Sequence, residues 1–269
     1  MEKSHELQTI HDGLFSILKE IDALCEKHGI GYFLDGGTLL GAVRHKDFIP
    51  WDDDADLTMT RDNFERFCEI ADELPAPLKL IYPKDYGGYF FDFVPRIVNM
   101  DFPLREETEA DRAQNNYQNR LAVDIFLIDN APDDPKKFSK MVFRQKMLYG
   151  YAMAHRYDKN AHPHSGADKL KIFILTFLGR FQSFPSILKK QNKLATSYRE
   201  KATGTYCVSN TILKEIHISY PKSYIENTVK LPIRDALFSC PAGYHDILTK
   251  MYGDYMTPPP ADEQHPTHS

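Results

Sequence analysis

Residues 50–59 have the sequence PWDDDADLTM, a run of acids that leads into an apolar segment. Positions 55–59 alternate between apolar residues and acidic or polar ones, which predicts a β-strand with one functional face. Asp54 and Asp56 are two residues apart, so both side chains would leave the same face of such a strand. The segment therefore predicts a strand that carries a pair of neighbouring carboxylates.

The spacing of these acids indicates a metal site. Two carboxylates held close together repel each other, and a hard divalent cation relieves that repulsion. Oxygen ligands suit Mg²⁺ or Mn²⁺, and the ligand spacing of an EF-hand calcium loop is absent. Asp52 shares the parity of the pair and is a candidate additional ligand, whereas Asp53 is expected to point away and to be either a solvated acid or a partner of the metal ligands. An Asp-x-Asp pair alone is also typical of solvated loop acids.

A further acid stands inside an apolar strand. Asp124 is flanked by Val123 and Ile125 in the predicted strand 121–128. A lone charge in such a strand would be costly if it were buried. We therefore expect this strand to lie beside the first acidic strand, so that Asp124 shares the metal site.

Two glycines lie between a predicted strand at 30–34 and a predicted helix at 39–45. Glycines at such a turn let backbone N–H groups approach an anion closely, and the start of a helix favours negative charge. Hydroxyl, guanidinium and imidazole groups follow within two helical turns and could contact phosphate oxygens. The candidate phosphate-binding residues of this segment are Gly36, Gly37, Thr38, Arg44 and His45.

Arg96 lies among apolar neighbours in a predicted strand at 89–98. A buried arginine needs a partner. We favour a donor phosphate as that partner, and an ion pair with an acid such as Asp124 is the alternative.

The remaining pattern predicts an α+β fold, with a mixed β-sheet core flanked by helices and a mainly helical C-terminal region. We predict a catalytic core at residues 1–134, a mainly helical region packed on it at 135–257, and an extended or disordered tail at 258–269. Residues 101–120 are expected to form a long loop or a partly helical insertion. Further strands are predicted at 78–82 and 89–98, and further helices at 5–28, 61–73, 135–155, 168–179, 185–200 and 241–251.

Composition excludes several classes of protein. The chain has 269 residues, 42% of them hydrophobic, and a net charge of −5, so no global basic field draws it to nucleic acid. The four cysteines lack paired metal-ligand spacing, which predicts reduced thiols in a cytosolic compartment. The N-terminus lacks the apolar core of a signal peptide, and no segment approaches the roughly 20 apolar residues of a membrane span. We therefore expect a cytoplasmic protein.

Residues 32–45, YFLDGGTLLGAVRH, and 48–56, FIPWDDDAD, closely resemble the LicD family of phosphocholine transferases. That family is related to fukutin and fukutin-related protein and belongs to the nucleotidyltransferase superfamily. The superfamily pattern is Gly-Gly or Gly-Ser, then Asp-x-Asp, then a later single acid. Gly36-Gly37, Asp54 with Asp56, and Asp124 fall on those positions, and residues 244–255 also resemble the end of the family's sequences.

The resemblance implies transfer of phosphocholine from CDP-choline to a sugar hydroxyl, with release of CMP. The implied acceptor is a cell-surface glycopolymer precursor, such as teichoic or lipoteichoic acid or lipooligosaccharide, and it can be lipid-linked. Asp54 and Asp56 would hold Mg²⁺ against the diphosphate, and Asp124 would complete the metal site and help to deprotonate the acceptor.

A choline headgroup needs an aromatic surface, because a quaternary ammonium cannot donate ordinary hydrogen bonds. Aromatic residues are concentrated after the first acidic strand, and the single tryptophan adjoins the acids. Each of these residues could equally belong to the core. The candidate choline-pocket residues are Trp51, Tyr82, Tyr86 and Tyr89.

Other functions fit the same residues. The protein could use another CDP-linked donor such as a CDP-alditol, act as a nucleotidyltransferase on a small molecule, or be a non-catalytic binding protein on this fold. Residues 169–193 mix apolar residues with basic ones, which is typical of a solvated helix pair packed on the core. The same pattern is compatible with peripheral contact at the inner face of an anionic membrane.

Overall fold

The computed structural model describes the backbone of residues 2–157, 167–211 and 215–266, with side chains from residue 6 and, in the second range, from residue 173. The predicted α+β fold is confirmed. The elements are, in order, α1 (Glu2–His28), β1 (Phe33–Leu34), α2 (Gly36–Arg44), β2 (Asp56–Thr60), α3 (Arg61–Ile70), β3 (Leu78–Ile81), β4 (Arg96–Pro103), α4 (Glu109–Ala113), β5 (Arg120–Ala131), α5 (Pro135–Ala152), α6 (Ala167–Gly179), α7 (Phe184–Ala195), β6 (Thr205–Val208), β7 (Ser219–Pro221), β8 (Thr228–Ile233), β9 (Ala236–Pro241) and α8 (Tyr244–Tyr252).

The main sheet is organised around β5. This strand pairs in parallel with β2 and antiparallel with β4 and β6, while β1 pairs with β2, β3 with β4, and β7 with β6. The resulting mixed sheet has seven strands, and β8 and β9 form a separate hairpin. β6 and β7 therefore extend the sheet beyond residue 134, where we placed the end of the core.

The two faces of β5 have different environments. Every second residue of the strand packs in the main hydrophobic core together with the apolar side of α1. The intervening residues line a cleft on the opposite face. The core face consists of Leu121, Val123, Ile125 and Leu127, and the cleft face consists of Arg120, Ala122, Asp124 and Phe126.

Several predicted boundaries are confirmed. The apolar spacing of residues 5–28 forms α1, and Gly29, with φ of +61°, stands where the helix ends. Thr60 caps α3 by accepting a hydrogen bond from the backbone N–H of Asn63. Residues 258–260 have no regular secondary structure, and Ala261–Glu263 forms one 3₁₀ turn.

The predicted strand at 89–98 is wrong over its first seven residues, because β4 begins only at Arg96. Phe90 donates its backbone N–H to the carbonyl of His155, and the carboxylate of Asp92 accepts the N–H of Val94. Such local bonds replace those of a strand ladder. The four strands β6–β9 were not predicted. β8 contains Pro232, which weakens a strand signal.

No helix in residues 2–157, 167–211 and 215–266 combines the length and the apolar character that crossing a bilayer requires.

Candidate active site

Asp56 and Asp124 lie side by side at the floor of the cleft. They are register partners in the parallel pairing of β2 with β5, so their Cα atoms are opposite each other. Both line a cleft with a volume of about 630 Å³. The prediction that Asp124 would come from a strand next to the acidic strand is therefore confirmed.

The parity argument for the other acids is wrong. β2 begins only at Asp56, and residues 52–55 have an irregular backbone in which alternation of faces does not apply. Asp53, expected to point away from the pair, is only 8% exposed and lines the cleft, as does Asp54, so it is not a solvated acid. Asp52 lies behind them, against Gly37 in the first turn of α2.

The two glycines begin α2 and do not form a separate turn before it. Asp35 caps the helix by accepting the N–H of Gly36 at 2.8 Å. Gly36 has φ of +52°, and a Cβ on it would lie 2.8 Å from Oδ2 of Asp56. A Cβ on Gly37 would collide with Oδ2 of Asp52. The anions that approach this glycine pair are therefore the protein's own carboxylates.

The carboxylates of this cluster are crowded and shielded from water. Burial, followed by the charges of Asp54 and Asp124, raises the pKa of Asp56 well above its usual range. Burial and the neighbouring Asp54 raise the pKa of Asp52 to about 8. Burial also raises the pKa of Asp35, although hydrogen bonds from Thr58 and Gly36 oppose the shift. These shifts favour the neutral forms of Asp35, Asp52 and Asp56 unless positive charge is brought near.

Arg96 supplies part of that charge. Its Nε and Nη2 donate to the two oxygens of Asp124 at 2.5 and 2.9 Å, Nη2 also donates to Asp92 at 2.5 Å, and Nη1 donates to the hydroxyl of Tyr86 at 3.1 Å. Burial alone would lower the pKa of Arg96, but the charges of Asp124 and Asp92 raise it well above its usual range. The structure thus shows the ion pair with Asp124 that we named as the alternative, and contact of Arg96 with a donor phosphate stays a prediction.

The donor atoms present suit a hard divalent cation. Asp54, Asp56 and Asp124 offer carboxylate oxygens within one cleft, and the pKa of Asp56, raised by burial and then by neighbouring carboxylates, would be lowered by such a cation. Across the described part of the chain, no three His, Cys, Asp or Glu side chains are already arranged as ligands of one ion. Binding of a divalent cation would therefore require these carboxylates to turn towards the ion.

Most of the predicted phosphate ligands lie elsewhere. Only Gly36 and Arg96 of that set line the cleft. Thr38 is 2% exposed, and its Oγ1 accepts the backbone N–H of Asp56 at 2.9 Å, so it positions that strand. Arg44 and His45 lie at the far end of α2, about 12 Å along the helix from Gly36. There Arg44 donates to the carbonyl of Tyr255 at 2.8 Å and to the ring of His45 at 3.0 Å.

The predicted choline pocket is wrong in its residues, because none of the four aromatic side chains lines the cleft. Tyr86 is fully buried. Tyr82 packs against the main core, Tyr89 stands edge-on to Tyr157, and Trp51 lies near Arg44 and His45. The aromatic side chains that do line the cleft are Phe91, Tyr117, Phe126, Tyr149, Tyr220 and Tyr252.

Sequence reasoning missed several cleft residues. Asp35 stands directly before α2, where an N-cap acid is typical, so that signal was available. Arg120 is four residues before Asp124 and hence on the same face of β5, a parity that could have been used. Asp92, Arg156 and Glu215 reach the cleft from irregular backbone, and no periodicity marks them.

Comparison with known proteins is consistent with this arrangement. Residues 29–160 match the family profile described as LicD/FKTN/FKRP, nucleotidyltransferase domain. The chain therefore carries a nucleotidyltransferase domain of the LicD/FKTN/FKRP family. This domain contains all the acids from Asp52 to Asp56, Arg96 and Asp124. Tyr220 and Tyr252, which line the same cleft, lie outside the matched range.

The chain is also similar to individual proteins. It is 29% identical to the lipopolysaccharide cholinephosphotransferase LicD of Haemophilus influenzae over 94% of this chain and 92% of that protein. It is 62% identical to the human ribitol 5-phosphate transferase FKRP over 32 residues, which are 12% of this chain and 6% of that protein. An uncharacterized protein of Rickettsia prowazekii is 42% identical over 73 residues, 27% of this chain and 26% of that protein. The full-length similarity to LicD supports a transferase.

Proposed function

We propose that this protein transfers phosphocholine from CDP-choline to a sugar hydroxyl of a cell-surface glycopolymer precursor and releases CMP. The acceptor classes we propose are teichoic or lipoteichoic acid and lipooligosaccharide precursors. The observation that carries the proposal is the adjacency of Asp56 and Asp124 on paired strands at the floor of the cleft. Similarity to a cholinephosphotransferase over 94% of the chain supports the choice of donor.

In the proposed reaction, the acceptor oxygen attacks the choline-bearing phosphorus, the bond to the bridging oxygen breaks, and that bond's electron pair leaves with CMP. A divalent cation, Mg²⁺ or Mn²⁺, would neutralise charge on the diphosphate. Asp54, Asp56 and Asp124 line the cleft and would hold that cation. Asp52 would stand next to them, against Gly37. The acceptor hydroxyl loses one proton in the reaction, and that proton passes to the phosphate of the departing CMP or to water. Because Arg96 stabilises the anion of Asp124, we assign Asp124 to ligation ahead of proton removal.

The cleft offers a surface for the trimethylammonium group at the end away from Arg120. Phe126 on β5 lines the cleft there, Tyr220 and Tyr252 also line the cleft, and Glu215, whose charge acts on both tyrosines, adds a carboxylate. Aromatic faces and an acid attract a quaternary ammonium without requiring hydrogen bonds from it. These residues replace Trp51, Tyr82, Tyr86 and Tyr89 as the choline candidates.

The donor is tested by thermal shift with CDP-choline, CDP-ribitol, CDP-glycerol, ATP and CMP, each with Mg²⁺ and with EDTA. Selective binding stabilises the folded state by mass action, so we expect the largest Mg²⁺-dependent rise of Tm with CDP-choline. Release of CMP with a sugar acceptor then tests transfer. A selective shift with ATP would replace the proposal by a small-molecule nucleotidyltransferase. No shift with any nucleotide would favour a non-catalytic binding protein.

A CDP-alditol donor is the second candidate. The local similarity to a ribitol 5-phosphate transferase, 62% over 32 residues, is the observation that favours it. In the same panel, a larger shift with CDP-ribitol than with CDP-choline would select it.

We also propose peripheral contact with an anionic membrane through residues 169–193, which suits a lipid-linked acceptor. The side chains of 169–172 lie outside the described residues. α6 packs on α5 through Gly179, where a Cβ would stand 2.8 Å from Cα of Tyr151. The opposite side of α6 and the segment after it expose Phe173, Phe177 and Phe181 by 67%, 48% and 76%. The exposed basic residues around this apolar patch are Arg180, Lys189, Lys190 and Lys193.

The membrane contact is tested by sedimentation with vesicles of phosphatidylglycerol and phosphatidylcholine. We expect binding that increases with the phosphatidylglycerol fraction, decreases with salt, and is lost when Phe173, Phe177 and Phe181 are all replaced by serine. Leu237→Ser is the control, since Leu237 is 57% exposed on the β8–β9 hairpin. Equal sedimentation of the triple variant and the unmodified protein would disprove the contact.

A further inference from the structure

The cleft contains two arginines whose role differs from that of Arg96. Arg120 and Arg156 both line it, and the Nε atom of each is buried without a hydrogen-bond partner among the described residues. Neither forms an ion pair with a carboxylate in the described part of the chain, whereas Arg96 contacts two. A buried N–H group without a partner is unfavourable, so such groups usually have a ligand or water to bind.

Arg120 is placed by the geometry of β5. It precedes Asp124 by four residues on the cleft face, which corresponds to about 13 Å along the strand. Its Nη1 makes one long contact, 3.5 Å, to the carbonyl of Asn119. The guanidinium therefore has several donors left for a ligand at the end of the cleft away from Phe126.

Arg156 reaches the cleft from the segment after α5. Its Nη2 donates to the carbonyl of Phe91 at 3.2 Å and to the hydroxyl of Tyr149 at 3.3 Å. The guanidinium also lies 5.7 Å from the ring centroid of Phe90. These contacts fix its orientation while leaving its charge without a carboxylate partner among the described residues.

We propose that Arg120 and Arg156 form a phosphate-binding subsite, separate from the acidic cluster. Phosphate oxygens accept several charge-assisted hydrogen bonds from guanidinium groups, and the planar fork of arginine suits them. The acidic cluster repels an anion that arrives without a cation, and the two arginines provide attraction from the lining of the same cleft. The identity of the ligand rests on the proposed function: the phosphate belongs either to the cytidine nucleotide or to a phosphorylated acceptor.

The experiment is calorimetric titration in EDTA with CMP, cytidine, ribitol 5-phosphate and ribitol. Variants are Arg120→Gln and Arg156→Gln, with Arg144→Gln, an exposed arginine of α5, as the matched control. We expect about tenfold weaker binding or more for the phosphorylated compound that uses the subsite, with no change for its unphosphorylated counterpart or for the control. Weaker binding of CMP would show that the phosphate belongs to the nucleotide. Weaker binding of ribitol 5-phosphate would show that it belongs to the acceptor.

Folded variants that bind both phosphorylated compounds like the unmodified protein would overturn the subsite. If a glutamine variant does not fold, Arg120→Lys and Arg156→Lys replace it, because lysine keeps the charge and loses the fork. Binding of inorganic phosphate, competed against either compound, provides a readout independent of donor identity. The subsite can therefore be confirmed even if CDP-choline is not the donor, and transfer can be confirmed even if the arginines bind no phosphate.

Discussion

Gly36 and Asp56 are matched to each other: a Cβ at position 36 would lie 2.8 Å from Oδ2 of Asp56, closer than carbon and oxygen normally approach. Gly36 also has φ of +52°, a conformation that glycine adopts most readily. The first turn of α2 thus provides the space in which the acid of β2 stands. The Gly-Gly and Asp-x-Asp segments of the sequence therefore contact each other in the fold.

Gly36→Ala is therefore expected to move the Asp56 carboxylate and to decrease transfer by about a hundredfold, since displacement of roughly 1 Å has that effect at catalytic sites. The backbone conformation adds about 1 kcal/mol or more of lost stability. Gly29→Ala is the control, because Gly29 has φ of +61° but open space around its Cβ position. A steady-state transfer assay and Tm of both variants check this. Equal losses of activity would mean that backbone strain alone is responsible.

The two acids at the floor of the cleft, Asp56 and Asp124, could be predicted because local sequence patterns specify the strands that carry them. The apolar runs around Asp124 and after Asp56 specify strands, and their pairing follows from the cost of burying a lone charge. The irregular backbone at 52–55 was not predictable from parity, since parity assumes a strand that begins only at Asp56. This is why Asp53 was wrongly expected to point away from the other acids.

The walls of the cleft were less predictable. Phe91, Asp92 and Arg156 lie on irregular backbone, and Tyr220 and Tyr252 come from distant parts of the chain. Aromatic residues near the acids in sequence, such as Tyr86, were instead needed to fill the core. Proximity along the chain is a poor guide to which side chain faces a cleft, because long-range packing decides it.

Asp56→Asn and Asp124→Asn are expected to abolish transfer but to affect stability differently. The pKa of Asp56 is raised, so its charge opposes folding, and the neutral amide should leave Tm without metal unchanged or higher. Asp124→Asn removes a charged partner of buried Arg96, which costs about 1–3 kcal/mol, or roughly 2–12 °C of Tm. Thermal unfolding in EDTA measures both. An equal loss of Tm in the two variants would contradict the electrostatic assignment.

Arg96→Met distinguishes the two roles considered for this arginine. Removing a partner of Asp124 and Asp92 leaves buried carboxylates without their counter-charge, which costs about 3–5 kcal/mol. We expect a large fall of Tm in EDTA and a greater stabilisation by Mg²⁺ than in the unmodified protein, since the cation can replace the lost charge. Arg44→Met, at the other end of α2, is the control. If Arg96 acted only as a phosphate ligand, Tm without nucleotide would not change.

Magnesium and pH are expected to act on the same carboxylates. In the unfolded chain an aspartate loses its proton near pH 4, whereas burial and Asp54 raise the pKa of Asp52 to about 8, and the pKa of Asp56 is also raised. Between these values the folded state binds more protons than the unfolded state, so the stability of the metal-free protein should fall as pH rises from about 4 to about 8.

Because Mg²⁺ binds the ionised carboxylates, its stabilising effect should be larger at pH 8.5 than at pH 6. Thermal unfolding at both pH values, with Mg²⁺ and with EDTA, tests this, and Asp56→Asn should weaken the dependence. A stabilisation by Mg²⁺ that is the same at both pH values would place the ion away from these acids.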